Sequence, residues 1–584
     1  MTDAAPGEST LQLAFDLHQQ GDFDAALAIY RALLQSHPDN PQILGLLGSA
    51  CRMTGESDEA VDCLEKAVAA APLRIDLKAE YGLSLAETGR YEEALELLED
   101  LLPALSAQQQ DAGVVYAALG DACLGLDRLY EATGYYRTAI AKEPENTAAS
   151  VNLGTALQRL GRHKEALAAY EAALRLEPSN VSAMTNLGVA LQESGMLEDS
   201  LAILKCAAAL EPTDPGIRTD LAVSLHKDGQ MDAAEEALNK AIAADSSFGR
   251  AWSNLGNLLQ DRLKLSEARM AHESALAIDA EDPDFHWNHA MTLLLDGRLE
   301  EGFAEYEWRR KIPGFGQRQI TGPAWDGDDA AGRTLLLFTE QGLGDAIQFA
   351  RYAPLLARTG ADVILACPKK LAPLFATLDD AITVVSDLNT VGPYDAQAPL
   401  MSLAHLMGTT LESIPADIPY LLPPAGAGSP LPPPRADTRA GLVWGGNPAR
   451  ADARHRSVSL ETLRPLFDVD GIDWNSLQIG PPRRQILETG LRLNDLAPDL
   501  SATAAAILEL DLVITVDTSI AHLAGALGRP VWIMLSHAPD WRWMLDRDGS
   551  PWYPTARLFR QPSSGDWASV VDDICSALQD LATR

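Results

Sequence analysis

Residues 511–530 of the chain are DLVITVDTSIAHLAGALGRP. The apolar run 512–516 predicts a buried strand of a parallel sheet. It ends at a small polar turn made of Asp517, Thr518 and Ser519, and an alanine- and leucine-rich helix follows at once. The first N–H groups of such a helix have no partners within it, and with the helix dipole they form a pocket suited to a phosphate. Taken alone, the turn favours simple capping by Asp517 or Thr518.

A second strand–loop–helix pattern lies further towards the N-terminus. The strand Thr334–Thr339 (TLLLFT) leads into the loop 340–345 (EQGLGD), then a helix, then the strand Val363–Ala366. This βαβ order predicts a parallel sheet with a ligand-binding loop at its carboxyl edge. Gly342 and Gly344 permit close backbone approach, but the third glycine of a dinucleotide fingerprint is missing. A dehydrogenase of the Rossmann type is therefore disfavoured.

The two patterns belong to two predicted α/β domains. The first covers residues 322–425, and a proline-rich linker at 426–438 follows it. The second covers residues 439–584 and begins with the apolar strand Ala440–Trp444. Two such domains predict a cleft between them in which a ligand binds.

The N-terminal half shows a 34-residue period. A small residue recurs at Gly48, Gly82, Gly120, Gly154, Gly188, Ala222, Gly256 and Ala290, and extra residues around Pro103–Gln110 lengthen one step. Small residues at fixed places let paired helices pack closely, so the pattern predicts an α-solenoid. It resembles the tetratricopeptide repeat, with about nine units over residues 7–315. Such arrays form a superhelix whose concave groove holds a protein segment, although an oligomerisation or spacer arm is the alternative.

The composition excludes several classes of function. The formal net charge of −36 disfavours nonspecific nucleic-acid binding and attraction to an anionic membrane. The start MTDAAPGEST lacks the pattern of a signal peptide, and no apolar run is long enough to span a bilayer. The six cysteines are scattered without a CxxC pair. These features predict a reduced, cytoplasmic protein without a membrane span.

Three sequence blocks carry a resemblance to a known family. They are EQGLGDAIQFARY at 340–352, VDTSIAHLAGALGRPVW at 516–532 and DWRWML at 540–545. The chain resembles bacterial GT-B glycosyltransferases related to the lipopolysaccharide heptosyltransferases and fused to tetratricopeptide repeats, such as soluble flagellin glycosyltransferases. A looser likeness exists to the O-linked N-acetylglucosamine transferases. The resemblance implies a solenoid followed by a GT-B fold with two Rossmann-like domains.

The resemblance also implies catalytic residues. Asp345 matches the Gly-Asp of the heptosyltransferase N-terminal loop, in which an aspartate is the proposed base. A carboxylate beside the acceptor can take the hydroxyl proton as the oxygen attacks the anomeric carbon. Asp345 could instead cap the following helix. Glu340 is a second carboxylate on the same loop, with either the catalytic role or a structural hydrogen bond.

Donor-binding residues follow from the same resemblance. Asp517, Thr518 and Ser519 align with the turn that holds the donor phosphates, and Ser519 replaces a glycine of that turn. Arg456 takes the place of a lysine that neutralises the leaving phosphate; a surface salt bridge is its alternative role. His522, one helical turn beyond Thr518, is either a donor contact or a core residue.

Further residues are expected near the donor. Asn447 and Gln478 stand at predicted strand ends that face the cleft. An aromatic cluster could stack a base or sugar, but its density favours packing at a domain seam: Trp541, Trp543, Trp552 and Tyr553.

The predicted function is a protein O-glycosyltransferase that inverts the anomeric centre. A nucleotide sugar is its donor substrate, and no cofactor is expected. A nonulosonic acid such as pseudaminic acid, carried on CMP, is favoured over a UDP-hexosamine, and flagellin is the favoured acceptor. No carboxylate, histidine or cysteine cluster has metal-ligand spacing, which predicts metal-independent transfer. The alternatives are a repeat scaffold that binds a nucleotide sugar without catalysis, and a transferase of the O-linked N-acetylglucosamine type.

Overall fold

The computed structural model describes residues 6–107, 112–315, 320–448, 453–496 and 499–582. The predicted insertion around Pro103–Gln110 lies partly outside these residues. The chain forms two compact units, Met1–Asp245 and Ser246–Arg584.

The first unit is helical, and consecutive helices pack in pairs. Its helices are α1 (Pro6–Gln19), α2 (Phe23–Ser36), α3 (Pro41–Thr54), α4 (Ser57–Ala70), α5 (Ile75–Glu87), α6 (Tyr91–Ala107), α7 (Gly113–Gly125), α8 (Leu129–Lys142), α9 (Thr147–Arg159), α10 (His163–Leu176), α11 (Val181–Glu193), α12 (Leu197–Leu210), α13 (Pro215–Lys227) and α14 (Met231–Ala244).

The periodic glycines explain the pairing. A Cβ added at Gly154 on α9 would lie 2.5 Å from the Tyr170 ring on α10, so only glycine lets the two helices pack this closely. Gly188 stands in the same relation to Leu204 one repeat later, again at 2.5 Å. The turn between the helices of a pair uses glycine with positive φ, as at Gly161. The predicted helical repeat array is confirmed.

The second unit begins with four more helices and continues into a parallel sheet. The helices are α15 (Gly249–Asp261), α16 (Leu265–Ile278), α17 (Pro283–Leu295) and α18 (Leu299–Tyr306), followed by the 3-10 helix Glu307–Lys311. The N-terminal sheet has the order β3-β2-β1-β4, with all pairs parallel. Its strands are β1 (Thr334–Phe338), β2 (Asp362–Ala366), β3 (Ile382–Val385) and β4 (Ala396–Pro399), with α19 (Leu343–Phe349), α20 (Tyr352–Ala357), α21 (Ala372–Phe375) and α22 (Leu403–Leu406).

The C-terminal sheet is also parallel, in the order β10-β9-β8-β5-β6-β7. Its strands are β5 (Thr438–Val443), β6 (Ile472–Ser476), β7 (Asn494–Asp495), β8 (Leu512–Val516), β9 (Val531–Leu535) and β10 (Ala556–Arg560), with α23 (Ala453–Arg456), α24 (Gln485–Thr489), α25 (Leu500–Glu509), α26 (Ser519–Ala526) and α27 (Trp567–Ala582). The predicted α/β character of this half of the chain is confirmed. The central strand β8 is buried at every position, as its unbroken apolar run predicts.

The last helix pair packs on the N-terminal sheet. Leu294 and Phe303 share one apolar core with Leu335 and Leu337 of β1. Residue 315, the predicted end of the repeat domain, therefore lies inside a compact unit. Within the part of the chain that the structure describes, no helix has both the length and the apolar character to cross a membrane.

Candidate functional site

A cavity of about 660 Å³ lies in the second unit, where loops of both sheets meet. The segment 341–345, which follows β1 and includes the first turn of α19, forms one side, and the turn between β8 and α26 forms another. Eight of the residues predicted from sequence line it: Asp345, Asn447, Arg456, Gln478, Asp517, Thr518, Ser519 and His522. The parallel topology explains this convergence, because the loops that follow parallel strands leave the same edge of a sheet.

The turn between β8 and α26 both caps the helix and lines the cavity. Thr518 is the N-cap residue of α26, and its Oγ1 accepts a hydrogen bond from the N–H of Ile520 at 3.3 Å. Its hydroxyl also lies 3.1 Å from that of Thr515. Thr518 and Ser519 are both partly exposed to the cavity. Capping thus orders a helix N-terminus, with its positive dipole end, beside an open space.

Arg456 lies next to this turn. Its Nη2 donates to the carboxylate of Asp517 and, at 3.2 Å, to the carbonyl oxygen of the same residue. Burial raises the pKa of Asp517, and the Arg456 guanidinium opposes that shift. A ligand phosphate at the N-terminus of α26 would therefore meet a guanidinium that Asp517 already orients.

Asp345 makes two contacts with its two carboxylate oxygens. Oδ2 accepts from the N–H of Gly342 at 2.9 Å. Asp345 thus caps α19 from its third helical position, as in a capping box, whereas the N-cap residue is Gly342. Oδ1 accepts from Nη2 of Arg542 at 2.6 Å. The side chain keeps 20% of its surface exposed.

Arg542 is a site residue that sequence reasoning missed. It is 6% exposed, lines the cavity, and donates to Gln348 Oε1 at 2.7 Å and to Asp540 Oδ1 at 2.9 Å as well as to Asp345. Burial lowers the pKa of the guanidinium, but Asp540 and Asp345 more than offset this and raise it. The signal in the sequence was a single charge between two tryptophans, Trp541 and Trp543.

Glu340 lies away from the cavity. Its carboxylate accepts from Nη2 of Arg309 at 2.6 Å, and Arg309 is fully buried. The same guanidinium donates to Glu307 at 2.6 Å and to Ser402 at 2.8 Å. Burial raises the pKa of Glu340, and Arg309 opposes that rise. Of the two roles considered for Glu340, the geometry matches the structural hydrogen bond.

His522 is buried at the base of the cavity. Its Nδ1 lies 3.0 Å from the hydroxyl of Tyr553, and its ring stacks on Trp543 at 5.4 Å between centroids. Burial, reinforced by nearby Arg542, lowers the pKa of His522 well below its ordinary value, so the imidazole is neutral at physiological pH. A Cβ at Gly344 would lie 2.9 Å from His522, which explains why the loop after β1 needs glycine here.

The side-chain amide of Gln478 binds the backbone that follows β5. Its Oε1 accepts from the N–H groups of Trp444 and Gly445 at 3.0 and 2.9 Å, and its Nε2 donates to the carbonyl of Gly445 at 2.8 Å. The side chain therefore fixes the loop that carries Asn447, which is exposed at the cavity rim. All four residues of the aromatic cluster are buried, as packing requires, and Trp541 also lines the cavity: Trp541, Trp543, Trp552 and Tyr553.

A possible metal-ligand group lies elsewhere. In the described ranges, Cys51, Glu56 and Glu59 of the first unit bring three potential ligand atoms together. Both glutamates also pair with Arg31, whose positive charge competes with a cation for them.

Comparison with known proteins begins with the repeats. Two family models match the N-terminal half. Both describe the tetratricopeptide repeat; one matches residues 17–81 and 191–258, and the other matches 54–110, 117–181 and 151–215. The chain thus carries tetratricopeptide repeats, as its 34-residue period predicted.

The chain is also similar to Protein FlbA of Caulobacter vibrioides. The two are 28% identical over 374 residues, which cover 57% of this chain and 62% of FlbA. The match therefore extends over less than two thirds of that relative.

Solved structures resemble parts of the chain. The APC/C hetero-tetramer Cut9-Hcn1 is 17% identical, with a TM-score of 0.38, and the match covers 53% of this chain and 61% of that one. YrrB, a tetratricopeptide repeat protein, is 22% identical, with a TM-score of 0.28 over 33% of this chain and 97% of its own.

Proposed function

We propose that the chain is an inverting protein O-glycosyltransferase with a GT-B catalytic half. One observation carries the proposal: a carboxylate (Asp345), an arginine (Arg456) and the N-terminus of α26 line a single cavity between two parallel sheets. An acid–base group and an anion site in one cleft are the parts that transfer from a sugar nucleotide requires.

The phosphate of the donor would lie at the N-terminus of α26. Thr518 and Ser519 place the first helical N–H groups there, and Arg456 adds a positive charge. These groups offset the negative charge that grows on the leaving phosphate as the glycosidic bond breaks. His522 would contribute a neutral imidazole to the same pocket.

The acceptor hydroxyl would react beside Asp345. Its oxygen forms a bond to the anomeric carbon while the bond from that carbon to the phosphate oxygen breaks. The hydroxyl proton passes to the Asp345 carboxylate, and the nucleotide leaves with the bonding electrons. Attack on the side opposite the leaving group inverts the anomeric centre. Arg542 holds the carboxylate in place through its 2.6 Å contact.

The donor sugar and the acceptor follow from the family resemblance. Soluble flagellin glycosyltransferases combine repeats with a transferase half in this order, so a CMP-linked nonulosonic acid such as pseudaminic acid is the proposed donor and flagellin the proposed acceptor. The repeats support a protein acceptor, because such arrays bind protein segments.

Intact-mass analysis tests the proposal. Purified flagellin from the same bacterium is incubated with the full chain and CMP-pseudaminic acid, with UDP-N-acetylglucosamine in parallel. A mass increase with the first donor is expected, and its loss is expected with Asp345→Asn. Arg464→Ala, a change at a surface ion pair with Glu461, is the control. No mass increase with either donor would contradict the proposal.

A second candidate is a repeat scaffold that binds a nucleotide sugar without catalysis. The observation in its favour is that both oxygens of Asp345 already accept hydrogen bonds, from Gly342 and Arg542. Nucleotide binding without turnover of any sugar nucleotide would select this function. A mass increase only with the UDP-hexosamine would select a transferase of the O-linked N-acetylglucosamine type.

A further inference from the structure

The last helix pair of the repeat array contributes side chains to the cavity. Trp287 and Met291 on α17 line it together with Tyr306 on α18. Trp287 and Met291 are only partly buried, so each leaves surface for a ligand. No residue of the heptosyltransferase-like sequence blocks lies on these two helices.

This wall is rigid. The Trp287 ring packs on Tyr306 at 4.9 Å and edge-on to Phe315 at 4.7 Å between centroids. Tyr306 in turn accepts a hydrogen bond on its hydroxyl from Nε2 of Gln341, at 2.7 Å. Gln341 stands four positions before Asp345, which lies in the first turn of α19. The aromatic wall is therefore fixed to the loop of the proposed base.

The side chains of this aromatic wall differ in chemistry from the cavity residues that suit a phosphate. Arg456 and the N-terminus of α26, which suit an anion, lie in the C-terminal α/β region. Trp287, Met291 and Tyr306 carry no charge and belong to the helical repeats. The lining of the cavity thus combines groups that suit an anion with an uncharged aromatic surface, and Tyr306 of that surface is hydrogen-bonded to Gln341, four positions before Asp345.

We propose that Trp287 and Met291 form an acceptor subsite, which rests on the proposed transferase function. An extended segment of the acceptor protein packs on these two side chains and directs a serine or threonine hydroxyl to Asp345. Trp287 suits this role because a tryptophan ring offers a large contact area with few rotatable bonds. The final repeat is then part of the transferase site and determines which acceptor segment reacts.

Kinetics with the full chain test this subsite. Trp287→Ala and Met291→Ala should each raise the KM for flagellin, by about tenfold for the tryptophan, and leave the KM for CMP-pseudaminic acid unchanged. Trp287→Phe should recover part of the loss, and it covers the case in which Trp287→Ala fails to fold. The matched control is Trp308→Ala, since Trp308 stacks on His286 and is not part of the cavity wall.

Crosslinking supplies a measurement that does not need turnover. A benzophenone amino acid in place of Trp287 should crosslink to flagellin on irradiation, and one in place of Trp308 should not. An unchanged flagellin KM in Trp287→Ala, a rise confined to the donor KM, or equal crosslinking at both positions would overturn the subsite. Absence of transfer by the wild-type chain would instead contradict the proposed function. The crosslinking result would still show whether flagellin binds beside Trp287.

Discussion

Arg542 donates a hydrogen bond from Nη2 to Oδ1 of Asp345 at 2.6 Å, and this contact joins the C-terminal α/β region to the loop after β1. The two residues are 197 positions apart in sequence. The same guanidinium holds Asp540 and Gln348, so one buried cation fixes groups from both sides of the cleft. The orientation of the proposed base therefore depends on a residue of the C-terminal α/β region, in the segment between β9 and β10.

Replacement of Arg542 tests that dependence. Arg542→Gln should lower kcat by about a hundredfold, because the Asp345 carboxylate loses its fixed position. It should also lower the free energy of unfolding by about 3 kcal/mol, since two carboxylates lose their buried cation. Arg542→Lys keeps the positive charge and should retain more of the wild-type kcat and of the wild-type stability. Fixed-time transfer assays measure kcat, and denaturant titration measures the free energy of unfolding. An unchanged kcat in Arg542→Gln would contradict the role of Arg542 in positioning Asp345.

Arg456 should control nucleotide affinity. Arg456→Ala is expected to raise the Kd for CMP by about tenfold to a hundredfold, because a charge-assisted contact to phosphate is lost. Calorimetric titration of the full chain measures this. Arg464→Ala removes an arginine from a surface pair with Glu461 and should leave the Kd unchanged. If both variants have the same Kd for CMP, the phosphate does not bind at Arg456.

The close approach of paired helices should be visible in stability. Gly154→Ala puts a methyl group 2.5 Å from the Tyr170 ring and should destabilise the first unit by about 1–3 kcal/mol. A Cβ added at Gly134, on the exposed face of α8, would have no atom of another described residue within 4 Å, apart from its chain neighbours and its own helix backbone. Gly134→Ala should therefore stabilise the unit by about 0.5–1 kcal/mol through helix propensity. Thermal unfolding of both variants checks the opposite signs.

His272 should make the second unit sensitive to acid. Burial, with a smaller effect of nearby His289, lowers the pKa of His272 from 6.5 to about 3. Between these values the unfolded chain binds the proton and the folded chain does not, so stability falls as the pH falls from 6.5 towards 3. The loss amounts to about 2 kcal/mol at pH 5.

A substitution that other repeats already carry at this position isolates the effect of His272 on stability. Leu238 and Leu204 occupy the equivalent position one and two repeats earlier, which makes His272→Leu a natural substitution. The variant should gain about 2 kcal/mol over the wild type between pH 7 and pH 5, as measured by denaturant titration. His163→Gln, at an exposed position, should show the wild-type pH dependence. Parallel curves for His272→Leu and the wild type would contradict the assignment.

Local patterns in the sequence predicted much of the fold. The 34-residue period predicted the repeats because each repeat solves the same packing problem with the same small residue, as at Gly154 and Gly188. The apolar run at β8 predicted a central parallel strand for an equally local reason. The strand–turn–helix pattern indicated an anion pocket at 517–519, and the family resemblance indicated Asp345 and Arg456; in the structure all of them line one cavity.

Contacts between residues distant in sequence could not be predicted in this way. No periodicity indicates that Arg542 reaches Asp345, or that Arg309 takes Glu340 away from the cavity. Gln478 stands at the strand end where a ligand contact was expected, but its amide binds the backbone of Gly445. Such pairings depend on how helices and strands pack against one another, and local sequence patterns do not indicate that packing.

The buried pair of Arg309 and Glu340 has a practical consequence for dissecting the protein. Arg309 follows the last repeat helix, and Glu340 follows the first strand of the N-terminal sheet. A fragment that starts at residue 322 would leave Glu340 buried without its cation and would strip Leu294 and Phe303 from the core beside β1. The shortest autonomous fragment that keeps the whole cavity should therefore begin at the 245/246 boundary between the compact units and include two complete helix pairs of the repeat array.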